Sequence, residues 1–236
     1  MRTPTETELL QLWERGRMRH PIDRALLLGA FARPDLPPSQ LPDLPLGVIN
    51  RALLGLRTTS FGHRIEAYLD CEQCGERLEL ALDTRELLAA APEGGMADRV
   101  DVGGFLFRAP SSRDLAAIAG ESDVATATRK FLDRCRVDTG AVPWNEGAEL
   151  QAEVEAELEA LDPMADIALE LTCDACGNRW VTSLDVGALV WEEIEARSRA
   201  LLLEVHRLAR AYGWTEPEIL ALSPQRRAAY LELVEA

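Results

Sequence analysis

Apolar positions along the chain alternate between two periods, and the switch between them divides it. Thr5-Glu6-Thr7-Glu8 has the form of a helix start, a hydroxyl cap with acids in the first turn, and Leu9, Leu10, Leu12 and Trp13 follow as one face. His20-Pro21 interrupts that pattern, and Pro21-Ile22-Asp23-Arg24 opens a second helix through Leu26, Leu27, Leu28 and Phe31. Five prolines between Arg33 and Pro45 predict an extended connector rather than an element. Leu46 to Leu56 is helical again, and Thr58 to Gly62 is expected to end it.

The period then shortens to two. A strand is expected over Arg64 to Leu69 and another over Arg77 to Leu82, where Leu78, Leu80 and Leu82 alternate with Glu79 and Ala81. Asp83 caps a short helix through Leu88, and Pro92-Glu93-Gly94-Gly95 forms a turn-rich loop. Arg99 to Arg108 reads as a hairpin turning at Gly103-Gly104. Ser111-Ser112-Arg113-Asp114 caps a helix through Leu115 and Ile118, and Asp123 to Arg136 forms another. Pro143-Trp144-Asn145 breaks the chain before an acidic helix, Gly147 to Leu161, with one stripe of Leu150, Val154, Leu158 and Leu161. From Val186 helical spacing runs through Val190, Ile194, Ser198, Leu201 and Leu208 until Gly213, placed as a C′ glycine. Thr215-Glu216-Pro217-Glu218 and Ser223-Pro224 open two more short helices.

A weak duplication lies beneath this order, at an offset of 102 residues from Cys71 to Cys173. Leu69-Asp70-Cys71-Glu72-Gln73-Cys74-Gly75-Glu76-Arg77 aligns with Leu171-Thr172-Cys173-Asp174-Ala175-Cys176-Gly177-Asn178-Arg179, and Leu82-Asp83 with Leu184-Asp185. Each copy reads as strand, knuckle, strand, helix. A Cys-x-x-Cys knuckle brings two thiolates to one cation, and zinc takes four ligands in a tetrahedron. Cys71, Cys74, Cys173 and Cys176 therefore form the candidate site for one structural Zn2+ per chain, a filled shell with no position open to substrate. An unmetallated thiol cluster and a redox dithiol remain as alternatives. Cys135, among Phe131, Leu132 and Val137, reads as a buried small hydrophobe.

Composition narrows the function classes. The 236 residues carry a formal net charge of −15, and the stretch from Val137 to Asn178, which has no Lys or Arg, supplies 11 of those excess charges. This balance disfavours non-specific nucleic-acid binding, which rests on cations displacing counterions. The acidic helix is expected to present a solvated face, with docking of a basic partner as the alternative. No apolar run approaches the roughly 20 residues of a membrane span. The polar first ten residues carry no export signal, so a cytoplasmic location is expected. There is no P-loop, GxGxxG, HExxH or GxSxG, His20, His63 and His206 are isolated, and no carboxylate pair stands out; the chain is not expected to be an enzyme or to take a small-molecule substrate.

The expected fold class is α+β, with helical N- and C-terminal regions around two zinc-knuckle β-hairpins and a small α/β insert between them. The boundaries are 1–60 for a helical region with its proline-rich connector, 61–90 for the first hairpin and 91–165 for the insert. The second hairpin takes 166–190 and the C-terminal docking helices take 191–236.

Three passages carry a resemblance. They are Leu46 to Leu82, with Leu56-Arg57 before Thr59-Ser60-Phe61-Gly62 and the first knuckle; Phe107-Arg108-Ala109-Pro110-Ser111-Ser112-Arg113-Asp114-Leu115; and the tail from Leu202 to Leu233. Together they resemble the T4-type baseplate proteins of contractile phage tails and extracellular contractile injection systems. The resemblance implies a non-enzymatic component or assembly factor of a baseplate or hub, made in the cytoplasm and assembled into a phage tail-like particle beside other baseplate, hub and tube proteins. It also implies that the tail docks, with Tyr212, Trp214, Ile219, Leu220, Arg226, Arg227 and Tyr230 as candidate partner contacts; packing among the tail helices is the other use open to the large apolar ones. A zinc-stabilised DNA-binding regulator, with Arg207, Arg210, Arg226 and Arg227 as its basic surface, and a metalloenzyme with an open zinc position are the rival readings.

Overall fold

Local capping sets most of the helix boundaries in the computed structural model, which describes residues 2–90, 99–137 and 147–235. Thr5 accepts from the Glu8 amide and the Glu8 carboxylate returns to the Thr5 amide, which starts α1 (Glu6–Gly16). His20 Nδ1 accepts from the Ile22 amide ahead of α2 (Pro21–Ala32). The proline-rich connector is not wholly extended: a 3-10 turn at Leu41–Asp43 buries Leu41 almost completely. Next, α3 (Leu46–Phe61) runs five residues past the expected stop at Leu56, and the Thr58 and Thr59 hydroxyls, rather than capping a turn, donate back to carbonyls of the preceding turn. It ends at Gly62, whose φ of 94° favours glycine.

The first hairpin pairs β1 (Arg64–Asp70) with β2 (Arg77–Asp83), and α4 (Thr84–Ala90) follows. A second hairpin pairs β3 (Arg99–Val102) with β4 (Phe105–Arg108), turning at Gly103-Gly104. It leads into α5 (Ser112–Ile118), α6 (Val124–Cys135) and α7 (Ala148–Leu161). The third hairpin, β5 (Ala168–Thr172) with β6 (Arg179–Ser183), leads into the long α8 (Val186–Tyr212). Gly213, left-handed at φ 71°, stops α8, and α9 (Glu216–Leu220) and α10 (Pro224–Glu235) close the described chain. The architecture is α+β, with three separate two-stranded antiparallel sheets and helices among the described residues. The loops expected around Pro92 and Pro143 lie outside the described residues. Among the described residues no helix is long and apolar enough to cross a membrane.

Two hydrophobic cores hold these elements. The larger gathers Leu9 and Leu12 of α1, Leu27 and Leu28 of α2, Leu53, Leu54 and Leu56 of α3, and Val190, Trp191, Ile194 and Leu201 of α8. Truncating a member with no exposed surface, such as Leu28 or Leu53, costs about 2–5 kcal/mol. The smaller core joins Val102, Phe107, Leu132, Cys135, Val154, Leu158 and Leu161 from β3, β4, α6 and α7.

Hydrogen-bonded acids and arginines fix the joints. Arg57 on α3 is 3% exposed and donates to the Gly62 and Arg64 carbonyls and to Glu193 of α8, so the exit of α3 into β1 is pinned to the long helix. Asp162 is 3% exposed and accepts from the Gly47 amide at 2.8 Å, tying the end of α7 to the start of α3. Burial pushes the Asp162 carboxyl above its ordinary range. Asp114, with no exposed surface, accepts from Arg108, Arg134 and both the amide and hydroxyl of Ser111, joining β4, α5 and α6.

Candidate metal centre

The two Cys-x-x-Cys knuckles are the tips of equivalent hairpins. In the first, Ile65 faces Leu82 and Asp70 faces Arg77; in the third, Thr172 faces Arg179 and the Leu184 amide donates to the Ile167 carbonyl, the same register shifted by the repeat. Both turns close identically. The amides of Cys71 and Gly75 bond to the carbonyls of Glu76 and Cys71, and those of Cys173 and Gly177 bond to Asn178 and Cys173, all at 2.8–2.9 Å. Gly75 and Gly177 both have φ 74°, the left-handed backbone that the knuckle requires after its second cysteine. The internal repeat is therefore a structural one, down to backbone hydrogen bonds.

The fold brings the two tips together. The ligand atoms of Cys71, Cys74, Cys173 and Cys176 all lie within 4.8 Å of one another and could hold one metal ion. Across the hairpins Cys71 Sγ is 3.7 Å from Cys176 Sγ, and Cys74 Sγ is 3.6 Å from Cys173 Sγ. A tetrahedron of sulfurs at the usual zinc–sulfur length of about 2.3 Å has edges of about 3.8 Å, so the cluster is compatible with zinc. Cys71 and Cys173 are buried and Cys74 and Cys176 exposed, an inner and an outer sulfur from each knuckle. The Asn178 side-chain amide reaches toward Cys71 Sγ at 4.0 Å, a donor from the opposite hairpin.

Neighbouring amides and sulfurs shift three of the thiols, and not all in one direction. The Cys74 amide, above all, draws the Cys71 thiol down to about 6. The Glu76 amide draws on Cys74, but the neighbouring Cys176 sulfur and burial outweigh it and push that thiol up to about 12. Cys176 is likewise raised, by burial and the sulfurs of Cys173 and Cys71 against the pull of the Asn178 amide. A cation bound among the four sulfurs would favour their thiolate forms.

The remaining expected site residues fall elsewhere. Cys135 has no exposed surface, stands apart in the smaller core, and burial pushes its thiol up to about 12. His63 serves through its carbonyl, which accepts from the Thr84 amide, and is not among the four ligands. In the tail, Tyr212 stacks on Trp214 with centroids 4.6 Å apart, and Tyr230 meets both rings edge-on at 5.6 and 4.9 Å. Leu220 packs against the larger core. Ile219 and Arg227 have no exposed surface, so neither is available to a partner. Arg227 instead donates to Glu204 of α8, to the Leu222 carbonyl and to Glu6 of α1. Of the tail's arginine pair only Arg226 is exposed. Arg57, Asp114 and Asp162 carry no site role in the sequence pattern; a charged residue inside an apolar helical run, Arg57 after Leu53, Leu54 and Leu56, was the available signal. No family model, curated protein or solved structure matches the chain.

Proposed function

We propose that the four sulfurs hold one structural zinc ion and that the chain is a non-enzymatic scaffold, a component or assembly factor of the baseplate or hub of a contractile phage tail or injection system. The observation that carries the scaffold reading is the complete donor set: two equivalent hairpins supply four sulfurs within 4.8 Å, and among the described residues no histidine or carboxylate joins them. A filled tetrahedral shell leaves no site for water or substrate, which is the mark of a structural ion. The ion would clamp residues about a hundred positions apart and hold the first and third hairpins tip to tip. The contractile-particle setting is supported by the three sequence passages that resemble T4-type baseplate proteins, among them Phe107 to Leu115, whose Arg108 and Asp114 form the ion pair at the β4–α5 joint.

Two measurements test the two halves of this proposal separately. Elemental analysis of the purified chain should return about one zinc per chain, and Cys71→Ser and Cys173→Ser should lose both the metal and the cooperative thermal transition. A metal-free chain with unchanged melting temperature would remove the zinc clamp. Mass spectrometry of mature contractile particles and of their assembly intermediates should find the chain with tube, spike or wedge proteins. Recovery only as a free protein, from both preparations, would remove the particle assignment and leave the zinc result intact.

A further inference from the structure

One wall of the molecule is built as an apolar cleft with an acidic rim. A cavity of about 600 Å³ opens between α5, α6, α7 and the end of β6. Its floor is formed by Leu115 and Ile118 of α5, Phe131 and Leu132 of α6, and Leu158 of α7, and Val124 stands at its edge with 78% of its surface exposed. Glu155 and Glu159 of α7 line one side, one helical turn apart, and Asp166 continues the row before β5. The one lysine of the sequence, Lys130, is already paired with Glu121 of the cleft lining. Glu155 accepts from the side-chain amide of Gln151, and Asp166 from the Ser183 hydroxyl, neither of them a cation. The absence of any Lys or Arg between Val137 and Asn178 leaves this row without compensating charge from its own segment.

We propose that this cleft docks an amphipathic helix of a partner protein that carries basic residues along one flank. The apolar floor takes aliphatic or aromatic side chains at helical spacing, the mode by which a groove receives a helix. Glu155 and Glu159 repeat every 6 Å or so along α7, the rise of about one turn, so they match Lys or Arg at positions i and i+4 of an aligned helix. A small cation would satisfy one carboxylate and leave the floor uncovered. A second copy of this chain is disfavoured because each copy carries −15. The cleft does not include the four cysteines, and its use does not depend on the baseplate setting.

The probe is a synthetic peptide of about 20 residues with leucines at i, i+3, i+4 and i+7 and lysines along one flank, and a matched peptide with glutamate in place of lysine. Fluorescence anisotropy with the full chain should show saturable one-to-one binding of the lysine peptide that weakens with salt, and none of the glutamate peptide. Glu155→Lys with Glu159→Lys should weaken binding by about tenfold or more, and Val124→Asn by roughly threefold. Glu153→Lys with Glu157→Lys makes the same charge change on exposed faces of α7 that do not line the cleft, and should leave most of the affinity in place. Equal losses in the two double variants would show bulk attraction only and overturn the proposal. So would failure of the lysine peptide to bind the wild-type chain, or sedimentation showing that the cleft is closed by a second copy and reopened by the Glu155 and Glu159 changes.

Discussion

Replacing Arg227 by methionine tests whether the C-terminal helix belongs to the folded body or is a free docking arm. The guanidinium has no exposed surface, and its Nε and Nη1 donate to Glu204 and to the Leu222 carbonyl at 2.9 and 2.8 Å, while Nη2 pairs with Glu6. Methionine keeps much of the volume and removes the charge and all three bonds. Breaking a buried ion pair costs about 3–5 kcal/mol when the partner is stranded. Here both glutamates are 22% exposed and keep Arg197, at 3.0 and 3.2 Å, so the low end applies, about 3 kcal/mol. For a chain of this length that is a fall of roughly 6–12 °C in melting temperature, or of roughly 1 M in urea midpoint. Far-UV circular dichroism through a urea titration measures it, with Arg226→Met as the exposed control, expected within about 0.5 kcal/mol of wild type. If Arg227→Met matched that control, the network joining α1, α8 and α10 would not be holding the fold, and the tail would be open to docking after all.

Three further outcomes follow from other joints. Burial pushes the Asp114 carboxyl up, but the Arg108 guanidinium and the Ser111 hydroxyl and amide outweigh it and hold the group below its ordinary range. Its stabilisation is therefore complete above the unfolded value of about 3.9 and is lost as pH falls through the folded one, so the deficit of Asp114→Asn, about 2 kcal/mol at pH 7 by urea titration, should shrink below pH 4. A methyl group on Gly47 would overlap the Asp162 carboxylate and crowd Met164 Cβ at 2.8 Å, so Gly47→Ala should destabilise by about 2 kcal/mol or more in the same assay. Cys135, buried and with its thiol raised to about 12, should resist iodoacetamide at pH 8 until denaturant is added, as mass spectrometry of the labelled peptide would record.

What the sequence makes legible is what is local. Thr5 with Glu8, Ser111 with Asp114 and Thr215 with Glu218 all form capping boxes, and Gly213 ends α8, because a cap needs only three or four neighbouring residues. The cysteine site is legible for a different reason: the duplication prints the same knuckle twice, so its two halves can be matched without knowing how the chain brings them together. Joints between distant residues leave no such trace. Arg227 and Glu6 are 221 positions apart, Arg57 and Glu193 are 136, and neither arginine differs in composition from an exposed one. Arg227 consequently reads from sequence as a surface cation beside Arg226, and only packing separates the two. The extension of α3 through Thr58 and Thr59 is hidden by hydroxyls that read as turn residues but bond within their own helix.

Among the described residues the three hairpins do not merge into one sheet, and each strand pairs with one other strand. In the first and third hairpins each strand is therefore an edge, with one row of backbone donors and acceptors facing away from its partner, whereas the outer side of β4 is met by Val137, whose amide donates to the Leu106 carbonyl. Isolated two-stranded ribbons are marginal in water, and here the first and third are held tip to tip at the sulfur cluster. Opening that junction would set free two ribbons with open borders, each able to recruit a strand from another molecule. The charged outward positions, Glu66, Asp70, Glu79 and Glu170 among them, oppose such stacking between copies. Loss of the cluster should consequently show itself also as salt-promoted self-association, which light scattering would record.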